Sequence, residues 1–381
     1  MNKNLLKIYE SDASQLKGNA LDVVTPKTIM EVRNIVAKSP RIVPRGGGTG
    51  LAGGCVPQNG IDVVLDLSKL DTIGSYDKER KTVEVGAGVI LDELQGYVAR
   101  FGLEFPVNPS SHAIATIGGM IATDAVGNRA IKYGKTSNWV NWVEVVDGSG
   151  NLHRKGVTEL SDYSGMEGIT GVIVKACLKL ASVKKRSASL VKVDSFDEVV
   201  SIVHKLKRDS SVSMVEFLGK KVSEMLGLFE TEDSDEVKNA YHLIIEYEND
   251  SGMLKGKEYD DLFEMRDKVG PMLSGGDYSR LEDPKILLDR AGKFVSWLEE
   301  RSILVFGHIG VGIFHPRFNH DQEKYIPEMI KLVKKLGGQI SGEHGIGILK
   351  REFVEINDQK ILRNVKKRTD PENKFNVGKV I

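Results

Sequence analysis

The chain has 381 residues with 53 Lys+Arg and 53 Asp+Glu, so its formal net charge is zero. Balanced charge with no basic stripe excludes an electrostatic case for nucleic acid, and 40% hydrophobic with 28% charged residues is ordinary for a globular fold. No 18-residue apolar run exists, and two cysteines are too few for an iron–sulfur cluster or a disulfide framework.

The opening residues, Met1 to Lys7, lack the apolar core of a signal peptide, so a cytoplasmic chain is expected, with peripheral membrane contact left open. The length allows two or three core-forming units. Thr25-Pro26 predicts a helix start, and Ile29, Val32 and Val36 place one apolar face on that helix. Arg41-Ile42-Val43 reads as a short buried strand. It runs into Pro44 to Pro57, a stretch with six glycines among fourteen residues.

Glycines of this density let successive N–H groups close on phosphate oxygens as a nest. Thr49 adds a hydroxyl donor and Arg45 a fixed positive charge, so the loop is expected to wrap the pyrophosphate of a dinucleotide. A P-loop is excluded because no Lys follows the glycines. The GxGxxG pattern of Gly48 to Gly53 lacks the helix that a Rossmann turn opens, since Gly53-Gly54, Pro57 and Asn59-Gly60 precede the next strand, Ile61 to Leu67.

Val83 to Val89 alternates like a half-buried strand and leads to a helix start at Leu91 to Leu94. Downstream, Phe105 to His112 is followed by Ala115 to Asn128. There the small residues Gly118, Gly119, Ala122 and Thr123 would let backbone approach a flat ring.

The run Pro-Arg-Gly-Gly-Gly-Thr-Gly-Leu-Ala-Gly-Gly resembles the FAD pyrophosphate loop of the vanillyl-alcohol-oxidase flavoproteins with a PCMH-type FAD domain. The similarity is to their D-lactate/glycolate/D-2-hydroxyglutarate dehydrogenase branch. Ala115 to Asn128, with Tyr133-Gly134-Lys135-Thr136, resembles the second FAD-contacting segment, and Gly165 to Ile173 the third, in family order and spacing. The resemblance implies an α+β fold with a two-part FAD-binding domain over 1–183. A ferredoxin-like cap (substrate) domain would occupy 184–335, and a C-terminal segment, 336–381, would return to the FAD domain. It further implies that FAD is held non-covalently, His112 being a polar loop residue. The implied cofactor-binding positions are Pro44, Arg45, Gly46, Gly47, Gly48, Thr49, Gly50, Gly53, Pro109, Thr116, Gly118, Gly119, Ala122, Thr123, Glu167, Gly168, Gly171, Val172, Ile173 and, in the closing Asp-Pro…Asn-Val-Gly-Lys run, Asn376.

From about Lys184 the pattern changes. Ser189 to Val193 is a strand, Ser195-Phe196-Asp197-Glu198 a capping box, and Val199, Val203 and Leu206 continue the helix. Val212 to Leu218, Leu243 to Tyr247 and Ile303 to Phe306 are strands, and Ile286 to Glu300 is a helix. Two β-α-β passes follow from this order. Phe229 to Glu236 reads as a solvated acidic loop.

The chemistry-bearing run is Gly307-His308-Ile309-Gly310-Val311-Gly312-Ile313-Phe314-His315. On a straight strand these histidines would lie about 23 Å apart on opposite faces, so they meet only if Gly310 or Gly312 bends the chain. Glu343-His344 follows in another glycine-rich turn, and two imidazoles with a carboxylate form a divalent-metal set.

Here the sequence resembles the branch's Gly-His-x-Gly-Asp-Gly-Asn-Leu-His and Ser-Gly-Glu-His-Gly-Ile-Gly. The resemblance implies metal ligands His308, His315 and Glu343 (for Zn or Mn), His344 as catalytic base, and Arg266 as the group that binds the substrate carboxylate. The plainer reading of Arg266 is a salt bridge in a charged region. The implied activity is hydride transfer from a D-lactate-like 2-hydroxy acid to FAD. Electrons then pass to an external acceptor: a quinone, a cytochrome, an electron-transfer flavoprotein or an iron–sulfur subunit. A homodimer is the expected assembly. Val311 and Ile313 depart from the family Asp and Asn and make the pocket less polar, and Gly219 departs from a frequent Asp. Arg280 aligns loosely with a substrate-contacting lysine. These departures keep two alternatives open: an accessory flavin-binding subunit of a larger glycolate or lactate oxidase, and a same-fold oxidoreductase for another alcohol.

Overall fold

The computed structural model describes residues 3–228 and 240–381, so the acidic run Phe229 to Glu236 lies outside the described residues. The chain forms two compact units. The first comprises Met1–Val126, Lys135–Val183 and Glu343–Ile381, and the second Gly127–Gly134 and Lys184–Gly342. This differs from the linear division at 183 and 335. Gly127–Gly134 sits with the second unit, where Arg129 bonds the buried carboxylate of Glu246 at 2.7 and 3.0 Å. The return to the first unit begins at Glu343 rather than at 336.

In the first unit, β1 (Ala20–Val24), β2 (Ile42–Arg45) and β3 (Asp62–Asp66) form a parallel sheet in the order β1-β3-β2. Parallel neighbours require crossovers, and the helix Ile29–Lys38 supplies one, burying Val32 and Val36 as its periodicity predicts. Its cap is Thr28 rather than Thr25. The Thr28 hydroxyl accepts the Glu31 N–H, while Glu31 accepts the Lys27 N–H at 2.7 Å, so the local side-chain bonds set the start.

The glycine loop leaves the C-terminal end of β2. A second, antiparallel sheet has the order β4-β5-β9-β7-β8, from β4 (Ile73–Asp77), β5 (Thr82–Gly86), β7 (Val140–Val146), β8 (Leu152–Gly156) and β9 (Val172–Lys179). Two short strands, β6 (Leu103–Glu104) and β10 (Ala181–Ser182), pair with each other. One face of the larger sheet shares a core with the helices Leu91–Ala99 and Ile117–Thr123.

The second unit is built on six antiparallel strands in the order β11-β13-β12-β15-β16-β14. They are β11 (Ser187–Val193), β12 (Val212–Leu218), β13 (Tyr241–Tyr247), β14 (Arg280–Leu281), β15 (Leu304–Gly307) and β16 (His315–Phe318). The β-α-β pass from β11 to β12 goes through the helix Phe196–Leu206, whose Ser195 cap accepts the Glu198 N–H, and β13 lies between the two strands. A second pass runs from β13 to β15 with β12 between them. All seven residues of β12 are buried, including the polar Ser213 and Glu216, as expected of an interior strand covered on both faces. The helix Lys257–Gly275 covers one face, where Leu262, Val269 and Leu273 pack with Met214, Leu218, Ile244 and Leu304. Among the described residues, no helix is long and apolar enough to cross a membrane.

Candidate functional site

The glycine loop is shaped by contacts that tolerate no Cβ. One placed on Gly46 would lie 2.2 Å from Thr116 Oγ1, and one on Gly47 would lie 2.1 Å from the Ile114 carbonyl oxygen. Gly48 has φ +70° and turns its carbonyl to the Ala13 N–H at 3.2 Å. Residues 46–55 are at least partly buried, yet among the described residues none of their backbone N–H groups donates a hydrogen bond. Buried donors are normally paired, so a run of unspent N–H groups fits an anion such as pyrophosphate.

Several of the expected cofactor-binding side chains are committed elsewhere. The Arg45 guanidinium donates to the Ser11 carbonyl at 2.8 Å and lies 5.5 Å from the Tyr9 ring centroid, so it ties the chain before β1 to the loop, where a Cβ on Gly48 would lie 2.3 Å from its Nη2. Thr116 Oγ1 caps the helix Ile117–Thr123 by accepting the Gly119 N–H, and Thr123 bonds the Gly119 carbonyl within it. Val172 and Ile173 are buried in hydrophobic cores of this unit. Asn376 donates to the Glu167 carbonyl at 2.6 Å and accepts from Lys379 at 3.0 Å. In each case folding demands on a buried polar or apolar side chain are met within the protein. His112 is a partly exposed loop residue bonded to Asp92 at 2.7 Å.

Glu167 has a role that its position in the third segment did not reveal. Its carboxylate accepts the N–H groups of Ile346 at 2.6 Å and Gly347 at 2.9 Å, holding the turn that directly follows Glu343-His344. Gly345 is required there, because a Cβ would lie 2.5 Å from Glu167 Cδ.

In the second unit the expected bend is present. β15 and β16 form a hairpin pairing Phe306 with His315, closed by a 3₁₀ turn at Ile309–Val311 and by Gly312 at φ +76°. A Cβ on Gly312 would meet the Ile286 carbonyl oxygen at 2.3 Å, so only glycine makes this bend. The hairpin brings the His308 and His315 rings to 5.1 Å between centroids, at 87°. Glu343 is the residue after Gly342, whose N–H is held by Asp283 Oδ2 at 3.0 Å. His308 and His315 belong to the second unit, and Glu343 opens the segment that returns to the first. His344 Nε2 lies 3.1 Å from Glu343 Oε1.

Glu216, on β12, positions His308 and was missed in the linear reading, although it stands in the Glu-Phe-Leu run. Its Oε1 accepts from His308 Nδ1, and its Oε2 accepts from Arg266 at 2.9 and 3.3 Å. Burial alone would raise its pKa, but His308 and Arg266 outweigh burial and hold the carboxyl at about 2. A carboxylate at Nδ1 makes that nitrogen the donor, so Nε2 is the nitrogen that offers a lone pair, the usual arrangement for a metal-ligating histidine.

Arg266, expected to bind the substrate carboxylate, is ion-paired within the protein. The guanidinium is buried between Glu216 and Asp267, with Nη1 2.9 Å from Asp267 Oδ1, so it neutralises Glu216. Arg280 is similarly bound to Glu282. Ile313 is buried beneath Gly342, where its Cγ1 would meet an added Cβ at 2.7 Å, so the family Asn is replaced by packing. Arg317 lies two residues after His315 on β16. It is 6% exposed, and burial pushes its pKa down to about 10.

Comparison with known proteins identifies the family. Residues 20–156 match the FAD binding domain family, and residues 183–270 and 281–380 match the C-terminal domain of FAD linked oxidases. A D-lactate dehydrogenase of Archaeoglobus fulgidus is 30% identical, over 94% of this chain and 91% of its own. The chain belongs to the FAD-linked 2-hydroxy-acid dehydrogenase and oxidase family. Other members of this PCMH-type FAD family include the glycolate oxidase subunit GlcD of Bacillus subtilis, 28% identical over 98% of this chain and 92% of its own. A D-2-hydroxyglutarate dehydrogenase of Stutzerimonas stutzeri is 25% identical over 94% and 90%. A solved alkyldihydroxyacetonephosphate synthase shares the fold, with a TM-score of 0.67 at 17% identity, covering 99% of this chain and 81% of that one. The protein is therefore an FAD-linked oxidoreductase of this family.

Proposed function

We propose that the protein oxidises a small, D-lactate-like 2-hydroxy acid to the 2-oxo acid and passes the electrons to an external acceptor. The observation that carries this reading is the pairing of the His308 and His315 rings by the hairpin; Glu343 and His344, themselves 3.1 Å apart, supply the carboxylate and the base that the motif implies. Two imidazoles and one carboxylate suit Zn or Mn, and the Glu216 bond to His308 supplies the outer partner that such a ligand needs. The glycine loop's unspent N–H groups suit the pyrophosphate of FAD. When bound, the metal would acidify the substrate hydroxyl and the flavin would accept the hydride.

The chain's own residues do the rest. His344 is the base that takes the hydroxyl proton. Glu167 fixes the backbone behind His344 through two N–H groups, so the imidazole's position is set by a buried carboxylate. Glu216 fixes the His308 tautomer, and Arg266 keeps Glu216 ionised. Cys55 and Cys177 are the only cysteines, so electrons leave to a quinone, a cytochrome, an electron-transfer flavoprotein or an iron–sulfur subunit.

Val311 and Ile313 favour a second reading, an accessory flavin-binding subunit. Anaerobic absorbance of the purified, metal-supplemented protein separates the two. Bleaching of the flavin by D-lactate, glycolate or D-2-hydroxyglutarate is expected, with His344→Ala abolishing it at unchanged FAD content. Flavin that none of the three acids bleaches would favour the accessory reading.

A further inference from the structure

We propose that Arg317 is the residue that binds a carboxylate of the substrate, an inference that rests on the 2-hydroxy-acid reading above. Of the two arginines buried in the second unit, Arg266 is matched by Glu216 and Asp267. Among the described residues no carboxylate reaches Arg317. Its Nη1 donates to Ser274 Oγ at 2.9 Å and its Nη2 to the Gly270 carbonyl at 3.4 Å, and its Nε has no partner. A guanidinium that is 6% exposed, without an anion and with an orphaned N–H, is strongly unfavourable unless something else supplies the charge.

Its place in the fold says what that is. Arg317 and His315 are two apart on β16, so they share one face of the sheet at about 7 Å along the strand. The helix Lys257–Gly275 covers this face. It sends Arg266 to the Glu216–His308 pair and, one and two turns on, Gly270 and Ser274 to Arg317. A Cβ on Gly270 would meet only Arg317 Nη2 within 4 Å, at 3.7 Å, so the glycine leaves room on the helix side of the guanidinium. A carboxylate seated there takes the Nε–Nη edge in the bidentate geometry that guanidinium offers. It would come from an acid whose hydroxyl lies at the His308 and His315 pair.

The test compares the FAD- and metal-loaded enzyme with Arg317→Met and Arg317→Lys. Binding of pyruvate and of 2-oxoglutarate is read by equilibrium dialysis, and the unfolding midpoint is measured without ligand. Arg317→Met is expected to leave the midpoint unchanged or raised, because it removes an unmatched buried charge, while Kd rises roughly 100-fold. Loss for both 2-oxo acids identifies the C1 carboxylate, and loss confined to 2-oxoglutarate identifies a distal one. A lowered midpoint with both affinities unchanged would make Arg317 a clamp between β16 and the helix and overturn the inference. If Arg317→Met does not fold, Arg317→Lys decides, with about a tenfold or greater loss supporting the inference and none overturning it. Binding that depends on Arg317 in a protein whose flavin no 2-hydroxy acid bleaches would sustain the inference and reject the proposed reaction.

Discussion

The glycine loop of the first unit and the histidine hairpin of the second are made of different material. The loop offers backbone: Gly46, Gly47 and Gly48 are there for what they lack, and the donors are main-chain N–H groups. The hairpin offers side chains, and each is positioned by another side chain, His308 by Glu216 and Glu216 by Arg266. A backbone site is therefore broken by adding a Cβ, whereas a side-chain site is broken by removing a partner that touches no ligand.

The largest effect should come from Glu216→Gln. It leaves the buried Arg266 without its main anion and takes the acceptor from His308, and breaking a buried pair from one side costs about 3–5 kcal/mol. Urea unfolding measures the loss, and metal content by atomic emission should fall with it. Unchanged stability would mean that Asp267 alone balances Arg266.

Gly46→Val sharpens the other half of the comparison. Its branched side chain would enter the space of Thr116 Oγ1, and FAD affinity should fall by about 100-fold, read as the flavin-to-protein ratio after dialysis. Retention of FAD by this variant would show that the loop can move away without losing its N–H array.

A smaller effect is expected from pH at Lys379, buried beneath the loop, where it bonds the Gly54 carbonyl. Burial lowers its pKa from 10.5 to about 8, the nearby Cys55 and acids only partly opposing it. Between those values the unfolded chain holds a proton that the folded chain has released, so stability must rise with pH. Relative to Lys379→Met, the wild type should gain about 1–3 kcal/mol on going from pH 8 to pH 10.5. A flat difference would mean that the folded amine keeps its proton.

The smallest change is Thr116→Val, which deletes one helix cap at Gly119 and should cost about 1 kcal/mol in thermal unfolding. If FAD binding also drops beyond this loss, the hydroxyl has a second use at Gly46.

Much of the site could be read from residue order alone. Glycines dense enough to form a nest announce it locally, and the histidine pair could meet only through a glycine bend, which Gly312 provides. The partners were less legible. Glu216 lies 92 positions from His308, and Glu167 lies 179 from Ile346, so no spacing rule connects them. Arg45 and Asn376 looked like ligand groups by motif, and the structure gives both to neighbouring protein groups.

The sequence by itself determined the α+β class, the two β-α-β passes, the glycine loop and the identity of the histidines and Glu343. Each depends on local periodicity, on the special backbone freedom of glycine or on a short motif. Only the tertiary structure decided which charges are matched. Arg266 and Arg317 are both single arginines in unremarkable surroundings along the chain. Only the packing of the helix Lys257–Gly275 on the sheet, with Glu216 beneath its middle, gives the first an internal anion and leaves the second for a ligand. Charge pairing is a property of distances in space, and distances across a sheet are set by strand order and register, which no single stretch of sequence contains.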